Sequence, residues 1–248
     1  MIVFSRANTK ISKLYKRREL APWWKGKRIY SLDLLSGHSC PYASECLSKA
    51  IQTEDGLRIE DGDKCRFRCF SASQEVLFPL VFKRRYSNWQ TLRTARTESK
   101  IYKILEDYLP ANCGILRFHC AGDFFSRAYF LAALRLAENN PEVLFYCYTK
   151  AVRFIVEHMD DIPANFVWTA SRGGVDDHLI DKHKLREARV VFSKWEARKL
   201  GLPIDQDDSH AARPDLRSDS FALLLHGTQP KGSVAAKALY KILKRKGR

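Results

Sequence analysis

The chain has 248 residues, 45% of them apolar, and a formal net charge of +15. That length buries one substantial core, so a single large α/β domain is expected. No apolar run approaches the ~18 to 20 residues of a membrane span, and none near the start suits a secretory signal, so the expected location is a reducing cytoplasm.

The charge sits at the ends. Residues 1–28 carry nine Lys/Arg against Glu19 alone, and residues 231–248 carry seven with no acid. The intervening body, 29–230, is neutral. Basic ends of this kind are an electrostatic footprint for a phosphate polymer, or else a solubility device.

Taken in order, the first element is a basic arm over 1–28, in which Arg17, Arg18, Lys25 and Arg28 are candidate phosphate contacts. Its adjacent indoles, Trp23 and Trp24, either stack on bases or pin the arm to the body. Residues 29–35 alternate as a strand does and end at Ser36 and Gly37. The cysteine-rich loop 36–73 follows. Cys40 and Cys46 have five residues between them, Cys65 and Cys69 three, and an eighteen-residue polar insert separates the pairs. Paired ligands closing on a metal from two sides have this spacing, and cysteines in a chain without a secretory signal favour metal binding or catalysis over disulfides. The four are the candidate metal ligands.

Residues 74–86 contain Pro79, so a helix there is short or kinked, and 88–109 reads as one longer helix. Strands are then expected at 115–120, 143–148, 166–169, 190–192 and 221–225. Helical segments lie between them, the first capped by Ser126, and a basic amphipathic helix spans 235–246. In that terminal region, 231–248, Lys241, Lys244, Arg245 and Lys246 are the second set of candidate nucleic-acid contacts. Six βα units imply parallel strands with right-handed crossovers, as a partial (βα)6 TIM-like barrel or an open parallel sheet with an inserted cysteine-rich loop. Functional groups of such sheets gather beyond the carboxyl ends of the strands. Gly122 and Asp123 follow the second strand there and Arg172, Gly173 and Gly174 the fourth, which makes these five the candidate cofactor-binding residues. Cys113, Cys120 and Cys147 read as core thiols, His119 as a strand histidine, and Asp205, Asp207, Asp208 and His210 as a solvated acidic loop rather than a Mg²⁺ site.

The segments CPYASEC (40–46), CFSA (69–72), RFHCAGDFFS (117–126) and VLFYCYTK (143–150) resemble the gene product 88 family of phage proteins, over about residues 32 to 174. That resemblance implies a viral protein working in a host cytoplasm. Relatives with further cysteines late in the chain differ from this one, which has none after Cys147. A more distant resemblance is to radical S-adenosylmethionine enzymes, which place an iron–sulfur loop after the first strand of a partial barrel and a glycine-rich acidic turn after the second. Cys65, Cys69 and Phe70 are similar to the start of that superfamily's motif, with Ala72 where its third cysteine stands. The resemblance implies a 4Fe-4S cluster and S-adenosylmethionine. Three classes remain open at this point: an iron–sulfur protein, redox or radical-type, acting on or near nucleic acid; a zinc-stabilised nucleic-acid-binding module without catalysis; and a phage protein that docks on a host protein.

Overall fold

The computed structural model of the chain describes residues 1–246, the side chains of Arg245 and Lys246 excepted. A seven-stranded sheet runs β1 (Ser5–Arg6), β2 (Arg28–Leu32), β5 (Cys113–Phe118), β6 (Leu144–Thr149), β7 (Phe166–Ser171), β8 (Glu187–Val191), β9 (Phe221–Leu224). Within the cysteine loop, β3 (Ser48–Thr53) and β4 (Gly56–Asp61) form a separate hairpin. From β2 to β9 every pairing is parallel, and only β1 at the edge is antiparallel. The large sheet is open, and its parallel strands follow chain order without reversal. That is the winding order of an unrolled barrel, and right-handed crossovers then send the connecting helices to one face.

Alternation along the strands divides two cores. On the outer face Leu116, Phe118, Phe145, Cys147 and Phe166 pack under the helices, with α3 (Pro79–Ala95), α4 (Glu98–Tyr108), α5 (Arg127–Glu138) and α6 (Val152–Glu157) contributing Leu92, Ile101, Phe130 and Ile155. Farther along, α7 (Asp177–His183) and α8 (Lys194–Lys199) cover the β7 and β8 end. The inner face presents Ile29, Ile115, Leu144, Tyr146, Val167 and Phe221, and single winding leaves no crossover helix to cover it. Two remote segments do so: Ile11, Leu14 and Leu20 from the N-terminal stretch, and Ala211 and Ala212 from α9 (Ser209–Ala212).

The N-terminal stretch is therefore built into the body rather than a free arm. It runs through short 3-10 segments at Ile11–Lys16 and Arg18–Leu20 and α1 (Ala21–Trp24). Tyr15 accepts a hydrogen bond from the Ile29 amide at 2.8 Å, Trp24 donates to the Arg17 carbonyl at 3.1 Å, and Arg17 donates to Asp207 from Nε at 2.9 Å. Gly114 makes room for it, since a Cβ there would lie 1.9 Å from the Trp23 carbonyl oxygen. Trp23 and Trp24 thus pack against the inner core as anchors.

The acidic segment is not solvated either. Asp208 is fully buried and ion-paired with Lys10 and Arg117, and it accepts hydrogen bonds from Tyr146 and Tyr148, both at 3.2 Å. Burial alone would raise its carboxyl, but Arg117 and Lys10 hold it at about 2.

Three boundaries differ from the sequence expectation. The helix expected over 88–109 is two helices: Arg96 takes a positive φ of 60°, and Thr97 caps α4 by accepting from the Lys100 amide. Pro79 does not kink a helix but begins one, because α2 (Phe70–Leu77) ends before it and a first-turn proline lacks only an amide that has no partner anyway. The polar insert folds into the β3–β4 hairpin, whose turn is Glu54 and Asp55, with Gly56 opening β4 opposite Thr53. α10 (Val234–Lys246) closes the chain and packs Ala235 and Ile242 against Phe67 and Leu225. No helix among the described residues is long and apolar enough to cross a membrane.

Candidate functional site

The two cysteine segments are fastened to each other and to the sheet before any cofactor is considered. Glu75, buried on α2 just after Cys69, accepts from the amide and hydroxyl of Ser36, just before Cys40, at 3.1 and 2.7 Å. Arg85 on α3 donates to the same carboxylate oxygen at 3.1 Å and supplies the countercharge. The Glu45 carbonyl accepts from the amides of Arg66 and Phe67 at 2.7 and 3.2 Å, and Ser48 Oγ accepts from the Cys69 amide at 3.1 Å. At the sheet edge the Gly173 carbonyl accepts from the amides of Ser44 and Glu45 at 3.1 and 3.0 Å. A Cβ on Gly174 would meet the Tyr42 carbonyl oxygen at 2.8 Å, so a side chain there would push the loop away.

These fastenings frame a cavity of about 850 Å³ beyond the carboxyl ends of the parallel strands. Cys40, Cys46 and Cys69 line it, together with Gly122, Asp123, Cys120 and Lys150. Burial pushes all three thiols up, Cys69 to about 11; Asp123, Cys69 and Cys46 raise Cys40 further, and Cys46 raises Cys69. Three soft thiols that repel one another's thiolate forms in a desolvated wall are a donor set whose charge a metal centre would balance. Cys65 is also pushed up by burial and by Cys69, and it raises Cys46 in turn, but it sits at the margin of the group. Its thiol donates to the Phe67 carbonyl at 3.0 Å, lies 3.6 Å from Ser48 Oγ, and does not line the cavity. Among the described residues no group of three or more His, Cys, Asp and Glu side chains is arranged to hold a metal ion.

Asp123 is buried and satisfied: Thr149 Oγ1 donates at 2.6 Å and the amides of Lys150 and Phe124 at 2.8 Å each. Lys150 Nζ donates to the Ser171 carbonyl and hydroxyl at 3.0 Å each and to the Arg172 carbonyl at 2.7 Å, joining the ends of β6 and β7. Of the five candidate cofactor residues, Gly122 and Asp123 reach the cavity. Arg172, Gly173 and Gly174 do not: Arg172 is ion-paired with Asp181 and Glu187, and the two glycines brace the cysteine loop.

A family model for gene product 88 matches residues 2–243. The chain belongs to the gene product 88 family. No curated protein and no solved structure matched it. The gene product 88 model covers the N-terminal stretch under the sheet and α10 as far as Leu243, as well as the segments around the cysteines.

The other sulfur and nitrogen groups divide in the same way. Cys113 and Cys147 are in the outer core, as their apolar neighbours suggest. Cys120 instead lines the cavity, its thiol pushed to about 12 by burial and by Asp33, with Asn8 donating to its sulfur at 3.6 Å. The His119 ring packs on Phe124 and Tyr129 with its Nε2 2.8 Å from the Tyr129 hydroxyl, and burial lowers it to about 3, so it is neutral. Among the basic candidates, Arg18, Lys25, Arg28, Lys241 and Lys244 are exposed, Arg17 is committed to Asp207, and the side chains of Arg245 and Lys246 lie outside the described residues. Lys150, Arg117 and Tyr148 fall within the segments 143–150 and 117–126, but no role is assigned to them from the sequence. A long side chain at the carboxyl end of each inner strand was the available signal.

Proposed function

We propose that the cysteine-lined cavity is the working site, with Cys40, Cys46 and Cys69 holding an iron–sulfur cluster in the manner of radical S-adenosylmethionine enzymes. The observation that carries this is convergence: three cysteines from two separately anchored segments line one cavity at the carboxyl edge of a parallel sheet wound in barrel order. Four-iron clusters ordinarily take four thiolates. Three leave one iron for a small molecule such as S-adenosylmethionine, and in this reading Cys65 stays outside with its carbonyl partner. Such a cluster supplies single electrons. The chain's own residues hold the surroundings: Asp123 fixes the turn after β5, and Lys150 places a cation beside Cys46. A closed four-thiolate zinc site is the weaker alternative, because it needs Cys65 in the same group.

The test is anaerobic reconstitution with iron and sulfide. Iron and sulfide retained after desalting, with visible absorption that S-adenosylmethionine perturbs, is the expected result. A colourless protein that binds one zinc per chain would replace this reading with the structural one.

Action on or near nucleic acid in the host cytoplasm is proposed as the setting, as against docking on a host protein. It is supported by the exposed lysines Lys237, Lys241 and Lys244 on α10, whose opposite face is docked. Their spacing puts them on one face of the helix, clear of any carboxylate partner among the described residues.

A further inference from the structure

We infer that the same cavity takes a phosphate-bearing nucleotide, with its phosphates at Lys13 and Lys194 and its base against Phe70. This rests on the reading of the cavity as the working site but not on the cluster. The first argument is charge. Six Lys and Arg residues line the cavity against two carboxylates, Asp123 and Asp205. Four of the cations are already engaged: Lys10 and Arg117 with Asp208, Arg68 with Asp61, and Lys150 with strand-end carbonyls. Both carboxylates are engaged too, Asp123 as described and Asp205 with His210 and Tyr148. Lys13 and Lys194 remain, one from the N-terminal stretch and one from the start of α8, exposed and with side chains that have no hydrogen-bonding or ionic partner among the described residues. No carboxylate of the cavity is paired with them, so their charge is available to an anionic ligand.

The second argument is shape and polarity. Leu223, on the inner face of β9, gives the cavity an apolar wall, flanked by Phe67 and Phe70, while Leu224 and Leu225 pack toward α8 and α10. Phe70 stays 41% exposed although it lines the cavity, and its ring is held edge-on by His226 with centroids 4.7 Å apart. A positioned, open aromatic face suits stacking on a base. An anionic head joined to a flat body is a nucleotide; inorganic phosphate uses only the lysines and a fatty acid only the apolar wall. The cavity's volume of about 850 Å³ accommodates a ligand of that size.

The experiment is calorimetric binding of ATP, adenosine and pyrophosphate in magnesium-free buffer to the full chain, wild type and variants checked for folding by circular dichroism. ATP should bind more tightly than either fragment. Lys13→Gln with Lys194→Gln should weaken ATP and pyrophosphate at least about tenfold and leave adenosine unchanged. Phe70→Ala should weaken ATP and adenosine and leave pyrophosphate unchanged. No ATP binding by folded wild-type protein, or ATP binding indifferent to the lysine pair, overturns the inference, as does binding of single-stranded DNA but not ATP. Cluster and nucleotide fail separately: protein that retains iron but binds no ATP sinks only this proposal, and protein that binds ATP but no iron sinks only the cluster.

Discussion

The two faces of the sheet solve the same burial problem with different materials. On the outer face, Phe118, Phe145 and Phe166 meet apolar side chains of helices that follow their strands directly in the chain, and the buried ion pair of that layer, Glu75 with Arg85, joins α2 to α3. On the inner face, no helix follows. The cover comes from residues 11–24 and 209–212, and it carries buried charge, with Lys10, Arg117, Tyr146 and Tyr148 all directed at Asp208. The outer face is a core and the inner face is a core with a polar floor for the cavity above it. A buried carboxylate with this many donors fixes the position of remote segments, which apolar contact alone leaves free to slide.

The largest effects should separate the faces. Phe118→Ala should cost about 3 to 5 kcal/mol in urea unfolding through cavity formation, at every pH. Asp208→Asn should cost a similar amount, on the order of 3 to 5 kcal/mol, because it strands Arg117 and Lys10 near a neutral amide, but its cost should depend on pH. The Asp208 carboxyl titrates at about 2 in the folded chain, below its ordinary value near 4. Its contribution is therefore complete above about pH 4 and is lost as pH falls through 2, so the gap between the Asn variant and wild type should narrow in acid by roughly 2 to 3 kcal/mol. Parallel stability curves for the two proteins from neutral pH to acid would remove Asp208 from the account of the inner face.

A smaller effect tests the covering segment itself. Gly114→Ala sets a methyl against the Trp23 carbonyl and should cost about 1 to 3 kcal/mol, with faster proteolysis within residues 1–24 than in the body. Uniform proteolysis would mean that the segment and the sheet loosen as one. Smallest is the helix stripe: Lys237, Lys241 and Lys244 changed together to Gln should leave stability unchanged. If each contacts a phosphate, the slope of log affinity against log salt on duplex DNA should become shallower by about 0.9 per lysine. An unchanged slope removes α10 from the interface.

The same contrast explains what the sequence made legible. Local periodicity located the outer-face strands and helices, because neighbours in the chain are neighbours in space there. It missed the hairpin of 48–61, where Asp55-Gly56 between alternating residues was the overlooked sign, and it took the break at Arg96 for continuous helix because a positive φ at an arginine has no sequence signature. From the sequence the inner-face cover reads as a basic arm, pinned at most by Trp23 and Trp24, and a solvated acidic loop. Each segment alone is polar enough for that, and only their meeting through Lys10, Arg17, Asp207 and Asp208 shows otherwise. In the site, the spacing of the cysteines singles out two segments and four thiols of one kind, three of which line one cavity. It did not distinguish Cys65, whose thiol turns to its own loop's carbonyl, or Cys120, which faces the cavity from the end of β5. Gly173 and Gly174 were read as a ligand turn because they follow a strand; they hold the loop that carries Cys40 and Cys46.

The most direct test of the central claim compares cysteines across that division. Cys40→Ser, Cys46→Ser, Cys69→Ser, Cys65→Ser and Cys147→Ser would be reconstituted anaerobically with iron and sulfide and analysed for bound iron and visible absorption. The account predicts loss of both in the first three variants and wild-type values in the last two. Equal loss in Cys65→Ser would mean a closed four-thiolate centre, and full iron in Cys40→Ser, Cys46→Ser and Cys69→Ser would contradict the assignment outright.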